Sequence, residues 1–181
     1  MWRSGRNLAV VCGLVGGGLL VGCTQKGIEG LKTSQYAPGQ QQEGKIAYAE
    51  NPPLGGAYSP LWQKCGAYTA PPYDEYAVHS LQRGFVWIVY RPGLAAGSVK
   101  GLEALLLTPR EDADGTKAAP PGLLSPRADL PTPVVVSVWN AQVQASGPDD
   151  PRLAEFLDRY VKSPTVKAAA NACTGGYTGT Q

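Results

Sequence analysis

The chain has 181 residues, with 16 Lys and Arg against 14 Asp and Glu, a formal net charge of +2 and a single histidine. A near-neutral balance without a Lys/Arg cluster argues against nucleic acid as a partner, and one histidine excludes a multi-histidine metal centre. Glycine (23) and proline (16) are both abundant, which predicts many turns.

Arg3 and Arg6 precede an uncharged apolar run from Leu8 to Val21. A positive flank, a short apolar stretch and a small-residue exit read as a secretory signal, 1–22. The run is about 14 residues long, short of the roughly 20 that a membrane-spanning helix needs. Its exit, Leu20-Val21-Gly22-Cys23, resembles the lipobox of bacterial lipoproteins. That resemblance implies that Cys23 takes a diacylglycerol through a thioether, and that cleavage before it frees an amine for acylation. Two or three acyl chains make a durable anchor where one would not. The expected site is therefore the cell membrane or outer membrane, with the membrane as partner through the lipid and the domain facing the periplasm or exterior.

Removing the signal leaves 159 of the 181 residues, enough for one domain with a core. Cys12 departs with the signal and Cys23 carries lipid, so Cys65 and Cys173 remain. An even remainder in an oxidising compartment predicts a disulfide. It would close a loop of 108 residues and contribute roughly 4–5 kcal/mol on the chain-entropy model. Two cysteines and one histidine are also a poor zinc set.

In chain order, 23–45 holds the lipidated cysteine and a polar, Gln- and Gly-rich flexible tether, spanning on the order of 25 Å. A single domain is expected over 46–173, with a loose tail over 174–181. From Asn51 to Tyr76, Tyr58, Trp62, Tyr68, Tyr73 and Tyr76 interleave with Pro52, Pro53, Pro60, Pro71 and Pro72. So many prolines forbid a central strand or a long helix; the aromatics must cover the core, or line a groove, from a long loop.

Tyr76–Leu81 and Phe85–Arg91 read as strands around Gln82-Arg83-Gly84. Phe85 to Tyr90 is apolar at every position, which predicts a central strand covered on both sides. Ser98–Leu107 reads as a helix capped by Ser98 and ended by Pro109. The Pro-rich stretch to Pro133 predicts an exposed loop over Glu111–Lys117 and a short strand near Leu123-Leu124-Ser125. Val134–Trp139 is a strong strand, and Asn140–Ala145 is its continuation or a hairpin arm. Asp150 and Pro151 open a helix with the apolar stripe Leu153, Phe156, Leu157, Tyr160 and Val161. Ser163-Pro164 restarts a short Ala-rich helix that delivers Cys173. This order predicts a small α+β domain: a mostly antiparallel sheet with helices packed on one face, plus the long Pro/aromatic-rich loop.

Chemistry is sparse. On a strand, His79 and Ser80 would point to opposite faces and form no nucleophile–base pair. There is no Gly-x-Ser-x-Gly, phosphate loop or dinucleotide fingerprint. Asp149-Asp150 reads as a helix start, and Glu111-Asp112-x-Asp114 as a solvated loop. No catalytic residue, metal or cofactor is expected.

Several segments resemble the domain-of-unknown-function 3105 family. They are Asn51-Pro52-Pro53, Pro60, Trp62, Gly66-x-Tyr68, Val78-His79-Ser80-Leu81-x-x-Gly84, Val86-x-Ile88-x-Tyr90-Arg91, Ser125-Pro126-Arg127, Trp139, and the helix through Phe156 and Tyr160. They run in the family's order from about 45 to 162. The family pattern reads roughly N-P-P-T-S-G-P-H-Y-P and V-H-S-L-E-H-G. Here Tyr58 stands where a histidine would, and Gln82-Arg83 stand for Glu-His. The resemblance implies a polar cluster reduced in this chain to His79, with Tyr58, His79 and Arg83 as candidate binding residues. Arg83 is a fixed cation that pairs with anions and ligates no metal.

The expected role is a non-enzymatic binding or structural module of the envelope, with a protein or small-ligand partner. The alternatives are a metal or acid–base site reduced to His79, and a small-anion or envelope-polymer binder using Arg83, Tyr58 and Tyr68. Set against all three, His79 and Arg83 would simply hold loop carbonyls at the turn.

Overall fold

The computed structural model describes residues 27–111, 115–161 and 172–181. The expected signal, Cys23, the Asp112/Asp114 pair and the helix restart at Ser163-Pro164 lie outside them. The elements run β1 (Leu31–Thr33), β2 (Gly66–Ala67), α1 (Asp74–Gln82), β3 (Val86–Tyr90), α2 (Ala96–Leu107), β4 (Arg110–Glu111), β5 (Lys117–Ala118), β6 (Gly122–Pro126), β7 (Val134–Val138), β8 (Ala141–Ala145) and α3 (Pro151–Tyr160).

Six strands form one sheet in the order β1-β8-β7-β3-β6-β2, and β4 and β5 pair separately. β1–β8, β8–β7 and β7–β3 are antiparallel; β3–β6 and β6–β2 are parallel. Parallel neighbours need a crossover, and α2 lies within the connection from β3 to β6. The α+β class with a mostly antiparallel sheet holds.

β3 is the centre of the fold. Val86, Trp87, Ile88 and Val89 are all fully buried, and their alternation divides the core in two. Val86 and Ile88 join Leu102 and Leu106 of α2 and Leu153, Phe156 and Leu157 of α3. Trp87 and Val89 join Ala77, Val78 and Leu81 of α1, together with Tyr58 and Trp139. The helices therefore divide between the faces: α2 and α3 on one, α1 and the Pro/aromatic-rich loop on the other. A strand apolar on both faces needs a cover on each.

Two helix starts differ in how far they match expectation. Asp150 caps α3 by accepting from the Arg152 amide at 3.1 Å, with Pro151 in the first turn. α2 begins earlier than expected, with Ala95 in place of Ser98 at the cap. At the end of α2, Arg110 donates from Nη1 to the carbonyls of Leu105 and Thr108, each at 2.9 Å. Its Nε reaches Asp158 on α3 at 2.9 Å. The β7–β8 connection is a hairpin, with Asn140 at φ 65 in the turn.

The expected strand Tyr76–Leu81 is corrected to helix α1. Asp74 and Glu75 occupy its first turn, where acids favour the helix dipole. Gly84, at φ 88, supplies the left-handed stop. The Gly84 amide bonds to Leu81 O at 2.9 Å and the Phe85 amide to Ser80 O at 3.0 Å, the paired closure of a Schellman motif.

The flexible-tether expectation for 23–45 is corrected over its described part. Ile28 is buried in the α2/α3 side of the core, β1 pairs with β8, and Arg152 Nη1 donates to Glu29 O at 2.9 Å. Nor is the tail over 174–181 loose. Tyr177 donates from its amide to Trp62 O at 2.7 Å and accepts from Lys64 N at 2.9 Å. Gln63 Nε2 donates to Gly179 O at 3.1 Å. Short polar segments carry little hydrophobic periodicity, and backbone pairing of this kind leaves no mark in it.

Candidate functional site

The loop from Tyr58 to Gln63 lies against α1, with the Ser59 amide bonded to Glu75 O and the Gln63 amide to Tyr76 O, each at 3.1 Å. This lays two aromatic rings on His79. The Tyr58 and His79 ring centroids are 4.7 Å apart, and Trp62 meets His79 edge-on at 5.8 Å. The Arg83 guanidinium then sits 4.0 Å over the Trp62 ring. The three expected binding residues are thus brought together, with Trp62 as the link between His79 and Arg83 that sequence reasoning had not assigned.

The arrangement is a stack and not an open pocket at Tyr58 and His79, which are 3% and 7% exposed. His79 Nδ1 donates to Ser59 O at 2.7 Å. Tyr58 Oη accepts from the Gly39 amide at 2.9 Å. Burial pushes the imidazole below its ordinary pKa; the Ser59 carbonyl opposes that, and the Arg83 cation reinforces it. The Ser80 hydroxyl donates to Gln63 O and Tyr76 O at 2.9 and 3.1 Å. His79 Nδ1 and the Ser80 hydroxyl are therefore committed to backbone carbonyls, those of Ser59 and Gln63 in the loop and of Tyr76 in α1. Both residues lie on helix α1, so the expected opposition of their side chains across a strand does not apply.

Tyr68 stands apart from this stack, its hydroxyl donating to Lys64 O. Among the described residues, no group of three or more His, Cys, Asp or Glu side chains is placed to hold a metal ion.

Toward the start of α1 lies a second feature, a cleft of about 480 Å³ lined by Lys45, Tyr73, Asp74, Glu75, Arg127 and Asp129 among others. Its wall is tied by Arg127, which donates from Nη1 to Asn51 Oδ1 at 2.8 Å and from Nη2 to Asp74. Asn51 Nδ2 in turn donates to Asp129 O at 2.8 Å. Burial holds the Asp74 carboxyl above the usual range despite Arg127, and Glu75 and Asp129 push the same way. Gln181 closes one side, bonding from its amide to Pro71 O at 2.8 Å and from Nε2 to Pro72 O at 3.0 Å. The cleft was not expected. Its one sequence signal is that Asn51 and Arg127 both sit in segments of the family pattern.

The tail that supplies Gln181 is held covalently as well, by the expected disulfide between Cys65 and Cys173.

No curated protein and no solved structure gives a match to this chain. A family model does, over residues 40–175, described as a protein of unknown function (DUF3105). That span takes in β2 to β8, the three helices among the described residues, the aromatic stack and most of the cleft wall, and on it the chain belongs to the DUF3105 family.

Proposed function

We propose that this chain is an exported lipoprotein, anchored through Cys23, whose domain binds a ligand or partner at the membrane surface and performs no catalysis. The observation that carries the export half is the Cys65–Cys173 bond, since structural disulfides belong to oxidising compartments. The sequence Leu20-Val21-Gly22-Cys23 supports the anchor. The binding half draws on the side-chain commitments of the stack. His79 Nδ1 and the Ser80 hydroxyl serve loop carbonyls, which leaves the stack as scaffold, while the adjacent cleft is open and charged.

A second reading, anion binding at Arg83, has one observation in its favour: Arg83 Nε is buried without a hydrogen-bond partner among the described residues.

The anchor is tested by metabolic labelling with an alkyne fatty acid in a bacterial host. Label is expected on the wild-type chain in the membrane fraction, and none on Cys23→Ala. Equal labelling of both, or none on either, would overturn it.

A further inference from the structure

We infer that the cleft at the start of α1 is a binding site for a small zwitterion, an amino acid or short peptide with a free ammonium and a free carboxylate. The inference deepens the binding half of the proposed function and is independent of the lipid anchor.

Three observations carry it. The cleft's volume of about 480 Å³ falls within the range that small-molecule sites occupy. Its charges are of both signs, and only some of them neutralise one another. Arg127 and Asp74 form an ion pair within the wall. Lys45, Glu75 and Asp129 also line the cleft, yet among the described residues they enter no ion pair. Finally, Arg127 is fixed from two sides, by Asn51 and Asp74. The wall is therefore preorganised, which lowers the ordering cost of binding.

The charge balance selects the ligand class. A simple cation would meet Glu75 and Asp129 but be repelled by Lys45 and Arg127. A simple anion would meet the reverse. A ligand carrying both charges satisfies both sets, and each contact is a charge-assisted hydrogen bond. Ile46, Pro71 and the Tyr73 ring supply apolar lining beside these charges, which suits a short aliphatic side chain.

The test is calorimetric titration of the full-length protein in detergent micelles with the dipeptide Ala-Ala, its N-acetyl form and its C-terminal amide. Saturable binding of Ala-Ala is expected, weakened roughly tenfold or more by each block. Lys45→Met should weaken Ala-Ala but not the amide, which lacks the carboxylate that Lys45 would meet and, as a cation, is relieved of its repulsion. Glu75→Gln with Asp129→Asn should weaken Ala-Ala but not the N-acetyl form, which lacks the ammonium those carboxylates would meet and, as an anion, is relieved of their repulsion. These residues are surface charges outside the core, and near-ultraviolet circular dichroism checks that the variants fold. No saturable heat with Ala-Ala, or blocked forms that bind as tightly as the free dipeptide, would overturn the inference. Either result leaves the fatty-acid labelling of Cys23 to stand or fall separately.

Discussion

The Nδ1 of His79 donates to the carbonyl oxygen of Ser59 at 2.7 Å, joining helix α1 to the loop that crosses it. The imidazole is 7% exposed, and its pKa is lowered by burial. An unfolded histidine takes up its proton near pH 6.5, whereas the folded one resists until lower pH. Below about pH 6.5 the unfolded state therefore binds more protons, and stability falls as pH falls through that region. Urea melts at pH 7.5, 6 and 5 should show a declining midpoint, with a shallower decline in His79→Asn. A midpoint that holds steady or rises toward pH 5 would contradict a buried neutral imidazole.

Arg127 should be the most costly charge to remove from the cleft wall. Arg127→Met strands the Asp74 carboxylate and Asn51 Oδ1, both of which it now serves. Breaking a largely buried pair from one side costs about 2–4 kcal/mol. Lysine at the same position offers one point charge in place of a fork, so Arg127→Lys should recover only part of the loss. Denaturant unfolding measures both, and a loss below about 1 kcal/mol in the methionine variant would show the pair to be a surface contact.

Opening the disulfide should loosen the tail before the sheet. On the chain-entropy model a loop of this length is worth roughly 4–5 kcal/mol, so Cys65→Ser with Cys173→Ser should lower the unfolding midpoint markedly. Hydrogen exchange gives the spatial readout. The amides of Tyr177 and Gln181, bonded to Trp62 O and Pro71 O, should become nearly unprotected, while Val135 and Val136 in β7 lose only the drop in global stability. Uniform loss across both regions would mean that the bridge holds the whole fold rather than the tail.

The most legible parts of the chain were those in which one physical signal dominated. The unbroken apolar run of β3 announced a doubly covered central strand, and Val86 to Val89 are fully buried. Asp150-Pro151 and the stripe behind them announced α3, and cysteine arithmetic announced the bridge. Helix α1 was hidden because Val78-His79-Ser80 leans toward strand, and Gln82-Arg83-Gly84 imitates a hairpin turn. The acids at 74 and 75 and the glycine at 84 were the better guides. β1 and the tail were hidden because they are held by backbone pairing, which polar residues perform as well as apolar ones.

The candidate site shows the same division. Tyr58, His79 and Arg83 could be gathered from two motifs of the family pattern; Trp62, which joins them, belongs to that pattern too but carried no sign of its role. The cleft draws on residues near 45, 74, 127 and 181, and no local pattern spans those distances.

The edge strand β1 bears directly on the proposed lipid anchor at Cys23. With Ile28 in the core and Leu31 already paired to Val143, only Thr24 to Gly27 separate Cys23 from folded protein. Four extended residues reach about 14 Å at most. Under the proposed anchor at Cys23, a leash that short would keep the domain from searching the depth of an envelope and hold it in a thin shell over the lipid headgroups, concentrated against anything that shares the same surface.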